Sequence, residues 1–414
     1  MHLLGGNLMA LLLARGTLAA ARCWRGDQAV LRRSRVMKQV VPVSALRPLA
    51  SSVAAYSLDL DPPADPATPR HDWTRSEIDA IFNQPFSELL HQASAVHRQA
   101  FDPQEVQRCT LLSIKTGGCT EDCKYCSQSV RYKTHVKPTP TLKLNEVLEA
   151  ARRAKAVGST RFCMGAAWRE MGRKKKAFAE ILEMVREVRK LDMEVCCTLG
   201  MLNEVQAMQL KEAGLTAYNH NLDTSPEFYP KVITTRSYED RLQTIENVRN
   251  AGISVCCGGI LGLGESENDR VGLLHTLATL PEHPESVPIN ALVSVDGTPL
   301  GAESAPEPVT ALDMTRMIAT ARLVMPRTMI RLSAGRLDFT EAEQALMFFA
   351  GANSVFSGDQ LLTTPNPSDD KDQALFDKLG LQGKPAFKEA VNVRHERLQA
   401  PAPGPIRITH VRRQ

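Results

Sequence analysis

The residues best suited to chemistry lie in one short segment, Gly117-Gly118-Cys119-Thr120-Glu121-Asp122-Cys123-Lys124-Tyr125-Cys126. Its three thiols are spaced Cys-x3-Cys-x2-Cys, within eight residues. Thiolates are soft ligands, and three this close can converge on one metal centre. A structural zinc site would want a fourth protein ligand. An iron–sulfur cluster is also held by Cys thiolates, and three of them would leave one iron open. Disulfides fit the spacing poorly, because so local a pattern suits a metal. Cys163, Cys196 and Cys256 stand in three separate apolar runs, and Arg331 in a fourth. Pointing into one enclosed interior, the three thiols would make a second metal site; packing as small hydrophobes is the ordinary alternative. Cys196-Cys197 and Cys256-Cys257 are adjacent pairs. Strand alternation lets one member of each face inward, and periodicity leaves that choice open.

Residues so far apart in sequence need a scaffold that brings them together. From about residue 110 the chain alternates β-branched runs with amphipathic segments. Strands are expected at 110–114, 161–164, 195–199, 217–222, 254–260, 287–293, 329–333 and 354–356. Between them, Val147, Leu148, Ala151 and Ala154 share a helix face, as do Ile181, Val185 and Val188, and Met314, Ile318, Ala321 and Met325. Asn203 with Gln206, Ser237 with Asp240, and Thr340 with Glu343 read as helix starts. Eight strand–helix units predict an α/β fold, a (β/α)8 TIM-type barrel, over residues 109–385. An open doubly wound sheet uses the same alternation with fewer units. In the barrel, the cysteine loop follows the first strand, at the end where catalytic loops gather.

The ends read differently. Residues 1–57 carry Arg15, Arg22, Arg25, Arg32, Arg33, Arg35, Lys38 and Arg47 against one acid, Asp27. That composition reads as a mitochondrial transit peptide, leading to the matrix. A Pro-rich linker and a helical cap are expected over 58–108, and a disordered tail over 386–414. Beyond residue 57 the chain has 42 bases and 45 acids, which gives no footprint for nucleic acid. No apolar run approaches the roughly 18 residues of a membrane span.

With aromatic Tyr125 before its last Cys, the loop resembles the [4Fe–4S] motif of radical S-adenosylmethionine enzymes. Longer stretches resemble the biotin synthase family within that superfamily. They are Arg161-Phe162-Cys163-Met164-Gly165-Ala166-Ala167-Trp168, Tyr218-Asn219-His220-Asn221-Leu222-Asp223-Thr224-Ser225, Val287-Pro288-Ile289-Asn290, Arg331-Leu332-Ser333-Ala334-Gly335-Arg336 and Leu361-Leu362-Thr363-Thr364-Pro365-Asn366-Pro367. The resemblance spans roughly residues 70–385.

It implies that Cys119, Cys123 and Cys126 hold a [4Fe–4S] cluster whose open iron takes S-adenosyl-L-methionine. It further implies a [2Fe–2S] cluster on Cys163, Cys196, Cys256 and Arg331. The family reaction uses a 5′-deoxyadenosyl radical to insert sulfur into dethiobiotin, with the smaller cluster as sulfur source. By the same resemblance Tyr125, Ala166, Asn221, Asp223, Arg241 and Ile260 contact the cofactor. Asn221, Asn290, Arg161, Thr363 and Thr364 would contact dethiobiotin. A ferredoxin or flavodoxin type electron donor, iron–sulfur assembly machinery and a homodimer follow as expected partners. His220 reads as a hydrogen-bonded structural residue, and Cys109, Cys197 and Cys257 are assigned no role. Another radical enzyme on the same barrel, or a zinc-binding structural protein, are the competing readings.

Overall fold

Strands that bury both faces must be covered by helices on one side and a filled interior on the other. Arg161–Ala166 and Ser286–Ala291 are buried at every position. The computed structural model describes residues 67–386, apart from Arg173 and residues 302–304. The expected transit peptide, most of the linker and the C-terminal tail lie outside the described residues.

The elements run α1 (Arg75–Phe82), α2 (Phe86–Ala100), β1 (Glu105–Lys115), α3 (Leu144–Ala156), β2 (Arg161–Ala166), α4 (Lys175–Arg189), β3 (Glu194–Thr198), α5 (Glu204–Glu212) and β4 (Ala217–Asn219). Then come α6 (Tyr229–Val232), α7 (Tyr238–Asn250), β5 (Ser254–Cys256), β6 (Gly259–Leu261), α8 (Glu267–Ala278), β7 (Ser286–Ala291), α9 (Ala311–Val324), β8 (Met329–Leu332), α10 (Glu341–Phe349) and β9 (Ser354–Phe356). A hairpin of β10 (Gln360–Leu361) and β11 (Thr364–Pro365), helix α11 (Asp369–Leu379) and β12 (Gln382–Gly383) finish the described chain. The strands pair in the order β1-β2-β3-β4-β5-β7-β8-β9, and β9 returns to β1. With β6 continuing β5, this is the expected closed barrel of eight parallel staves. Asn203, Ser237 and Thr340 each form a reciprocal capping box, opening α5, α7 and α10. Helix α1 packs on α8, and α2 on α9. No helix among the described residues is long and apolar enough to cross a membrane.

Two strands differ from expectation. The single strand expected at 254–260 is broken between Cys256 and Gly259. Cys256 pairs with Ser286, pairing resumes at Gly259 with Ile289, and Pro288 lies between with no N–H to give. A Cβ on Gly258 would sit 2.0 Å from the Pro288 carbonyl oxygen, so only glycine fits there. Strand β1 begins at Glu105, earlier than its apolar run suggests. Its first residues pair with β12 and β9, through Glu105 with Gln382 and Gln107 with Ser354.

Two large apolar clusters lie between strands and helices, and a small third one holds Cys109, Cys163, Cys196, Ala217, Phe356 and Leu361. Cys197 and Cys257 belong to the two large clusters, so Cys196 and Cys256 are the members of each pair turned the other way.

Candidate active site

The loop carrying Cys119, Cys123 and Cys126 is built on two successive glycines in the left-handed region, Gly117 and Gly118 (φ 67° and 77°). A side chain at Gly117 would meet the Pro138 backbone at 3.0 Å. The loop then closes on itself: Cys119 N–H donates to Gln128 O (3.0 Å) and Val130 N–H to Cys119 O (2.8 Å). Asp122, a residue the sequence reading passed over, anchors it. Its carboxylate accepts from the Thr234 N–H at 2.9 Å and the Thr235 N–H at 3.1 Å. Burial works against its charge, yet the hydrogen bonds from Thr234 and Thr235 hold its pKa down to about 2. That contribution to stability is complete above the unfolded carboxylate range and is lost as the pH falls through about 2. Asp122→Asn should therefore loosen the loop at neutral pH, and metal retention should fall by about 10–100-fold, the usual cost of losing an outer support. Iron content after gel filtration measures it.

All three loop thiols face one cavity of about 330 Å³ at the C-terminal mouth of the barrel. None is in a disulfide. Burial pushes each thiol up, Cys126 to about 11. Left alone they would stay protonated at neutral pH, and a bound metal is what would take the proton's place. Among the described residues, no three His, Cys, Asp or Glu side chains converge tightly enough for a single ion. A structural zinc site wants four protein ligands, and the loop brings three thiols to the cavity. A cluster spreads its thiolates over separate irons, so the donor set fits a cluster better.

Beside the loop runs a buried polar chain. Tyr125 Oη donates to Asp223 Oδ2 (3.0 Å), and Arg241 Nη2 lies 2.7 Å from the same oxygen. Arg241 also donates from Nε to Tyr229 Oη (2.7 Å) and from Nη1 to the Asn221 carbonyl. Burial, and then the Asp223 charge, push Tyr125 well up, so it remains a donor. Asp223 is one of three non-glycine residues with positive φ (68°) among the described residues, a conformation Asp tolerates better than most. Its carbonyl accepts from Ile260 N–H (2.8 Å), which ties the site to β6. Glu265 accepts from the N–H groups of Gly262 (3.0 Å) and Leu263 (2.7 Å), and so fixes the turn after Ile260.

Every cofactor and substrate residue expected from the sequence lines this cavity except Arg161. Arg161 lies instead in the barrel floor. Its guanidinium is 2.6 Å from Glu194 and 2.9 Å from Glu285, and its side chain is 2% exposed. Two carboxylates already hold it, so it offers nothing to a substrate carboxylate. Asn290 donates to Gly259 O (2.8 Å) and accepts from Ala334 N–H (3.1 Å). One N–H and one lone pair of its amide remain for the cavity. Thr363 shares a hydrogen bond with Ser127 (2.9 Å), and so joins the β10–β11 hairpin to the cysteine loop. His220 departs from expectation: its Nε2 is buried at the cavity without a hydrogen-bond partner. Burial and the charges of Arg241 and Arg236 push its pKa well down, so the ring is neutral.

Below the loop, Cys163, Cys196 and Arg331 line the same cavity. Cys256 stands behind them, with Sγ 3.5 Å from Arg331 Nη1. In register with Cys256 on β7 is Ser286, fully buried, whose hydroxyl has no partner. An orphaned hydroxyl in register with one of these thiols fits a site built around an additional group.

Comparison with known proteins agrees with this geometry. The Radical SAM superfamily matches residues 113–277, and the Biotin and Thiamin Synthesis associated domain matches residues 288–382. A mitochondrial biotin synthase of Arabidopsis thaliana is 61% identical over 322 residues, 78% of this chain and 84% of the relative. The chain belongs to the biotin synthase family. The biotin synthase of Schizosaccharomyces pombe is 58% identical over 327 residues, covering 79% of this chain and 90% of that one. Among solved structures, methylornithine synthase superposes with a TM-score of 0.64 at 19% identity, over 76% of this chain and 94% of its own. That likeness concerns the barrel alone. Family membership makes this chain an enzyme of the radical S-adenosylmethionine class, with a [4Fe–4S] cluster and S-adenosylmethionine as its cofactors.

Proposed function

We propose that this chain forms biotin by inserting sulfur into dethiobiotin, using two clusters in one barrel. The observation that carries the reading is a pair of thiol sets on one cavity: three on the mouth loop, and Cys163 and Cys196 with Cys256 behind them on the strands below. The [4Fe–4S] cluster with S-adenosylmethionine would supply hydrogen abstraction from unactivated carbons, and a [2Fe–2S] cluster on the inner set would supply sulfur.

The chain's own residues bind, orient and exclude water. Asn221 and Asp223 serve the ribose, Arg241 the methionine carboxylate and Ile260 the adenine, with Tyr125 and Ala166 as further neighbours of the cofactor. The spare amide N–H and lone pair of Asn290 match a ureido group. Thr363 and Thr364 suit the carboxylate tail, and Leu361 and Leu362 help cover the cavity. Arg161 is left out of the substrate contacts. A one-electron donor of the ferredoxin or flavodoxin type, cluster-assembly machinery, a homodimer and the mitochondrial matrix complete the reading. The mitochondrial relatives from Arabidopsis thaliana and Emericella nidulans support the last point.

Anaerobic Mössbauer spectroscopy tests it. Cys123→Ala and Cys163→Ala should each remove a different cluster signal, and each should abolish dethiobiotin conversion. A single [4Fe–4S] signal untouched by Cys163→Ala, after full cluster assembly, would overturn the sulfur-donor assignment.

A further inference from the structure

An electron for the mouth cluster has to come from outside the chain, and transfer between separate proteins falls off steeply with distance. The loop therefore accepts it where a thiol comes nearest the surface. Cys123 belongs to the apolar core and Cys126 packs against it, whereas Cys119 is in none of the apolar clusters. Gly118 and Cys119 are half-buried and Thr120 is exposed, so residues 118–120 are the loop's edge to solvent.

Cations surround that edge. Arg131 donates from Nε to the Thr120 carbonyl (3.1 Å). Lys115 donates from Nζ to the Gly117 carbonyl and, at 3.5 Å, to that of Ala167. Burial pushes the Lys115 ammonium down, and the neighbouring Lys174 charge adds to it. Lys174 is exposed, with its ammonium 5.9 Å from the centre of the Trp168 ring, and Lys175 after it is exposed too. On the other flank, exposed Lys137 precedes Pro138, whose backbone closes on Gly117. From Ser127 to Asn145 the chain has four Lys or Arg and no Asp or Glu. The loop's own acids do not cancel this charge. Glu121 is buried between Arg169 and Arg236, and Thr234 and Thr235 hold the Asp122 carboxylate. Glu170 and Asp296 border the rim as exposed acids. Beyond residue 57 the chain is slightly acidic, so the basic rim is a local concentration and not the general character of the surface.

We propose that this rim, with Arg131, Lys137, Lys174 and Lys175 around the exposed edge of the loop, docks the acidic face of a small one-electron carrier protein of the ferredoxin type. The proposal rests on the donor reading above and gives that donor its place. One electron leaves the reduced carrier, which is oxidised, and enters the [4Fe–4S] cluster, which is reduced; no bond breaks and no proton moves. Encounters of this kind bury little area and are steered by opposite charge, so the rim cations govern how fast the partners meet.

The test uses full-length, cluster-loaded protein and a reduced acidic [2Fe–2S] ferredoxin, with cluster reduction followed by stopped-flow absorbance. Reduction of the native protein should slow as salt rises from about 0.05 M to about 0.5 M. Lys137→Glu, Lys174→Glu and Lys175→Glu together should slow it by at least about tenfold at low salt and flatten the salt dependence. Photoreduced deazaflavin, which needs no docking, should reduce native protein and variant alike. A matched triple on α3, Arg152→Glu, Arg153→Glu and Lys155→Glu, lies toward the start of β1 and should behave as native. Carbodiimide cross-linking of the native complex should join ferredoxin carboxylates to Lys137, Lys174 or Lys175, which decides the question even if the rim triple fails to fold. A rim triple reduced at the native rate, a control triple slowed as much, or cross-links confined to lysines elsewhere would overturn the proposal. Failure of the donor reading has its own signature, a native protein that deazaflavin reduces and ferredoxin does not at any salt, and it would take the proposal with it.

Discussion

Arg161→Ala should destabilise the barrel by about 3–5 kcal/mol, the usual cost of breaking a buried ion pair from one side. Arg161 is 2% exposed, Glu194 1% and Glu285 8%, and the guanidinium bridges both carboxylates. Removing it leaves two negative charges in the floor without their common cation. Thermal unfolding followed by circular dichroism should show the midpoint fall by roughly 5–10 °C. Restoring neutrality by adding Glu194→Gln and Glu285→Gln should recover part of the stability. A variant that melts normally but shows a raised KM for dethiobiotin would return Arg161 to the substrate.

The contrast between that floor and the mouth explains what could be read from the sequence. The barrel was legible because strand–helix alternation and capping residues such as Asn203 and Ser237 are local signals. The break between β5 and β6 was not, because its cause, Pro288, sits on the neighbouring strand. Likewise the early part of β1 looks too polar for a strand: Gln107 and Arg108 face partners on distant elements, Glu194 and Gln373. The cysteine loop announced itself by spacing, while the inward choice of Cys196 over Cys197 needed the register of β2 with β3. Arg161 was misplaced for the same reason. A motif shows that an arginine is present, but two glutamates 33 and 124 residues away decide what it does. Asp122 carried a signal that was available, an acid inside the loop motif, but its partners Thr234 and Thr235 come from another βα connection.

Asp223→Ala should be the most damaging change at the mouth short of removing a loop thiol. Its carboxylate is 2% exposed and is shared by Tyr125 and Arg241, whose own side chain is 6% exposed. Without it, Arg241 keeps Tyr229 and the Asn221 carbonyl but loses its counter-charge. The cost expected for that stranded cation is about 3–5 kcal/mol. S-adenosylmethionine binding, measured by equilibrium dialysis on cluster-loaded protein, should weaken by at least about 100-fold, since each 1.4 kcal/mol is tenfold. Stability and binding can be separated by a double-mutant cycle. Pairing Asp223→Asn with Arg241→Met removes both charges, so the melting temperature should recover most of the way. Cofactor affinity should not recover, because the proposed ribose and carboxylate contacts would both be gone. If affinity returned along with stability, the Asp223–Arg241 pair would be a brace for the β4 and α7 connection alone. The cofactor would then be oriented chiefly by the cluster loop and the turn after Ile260.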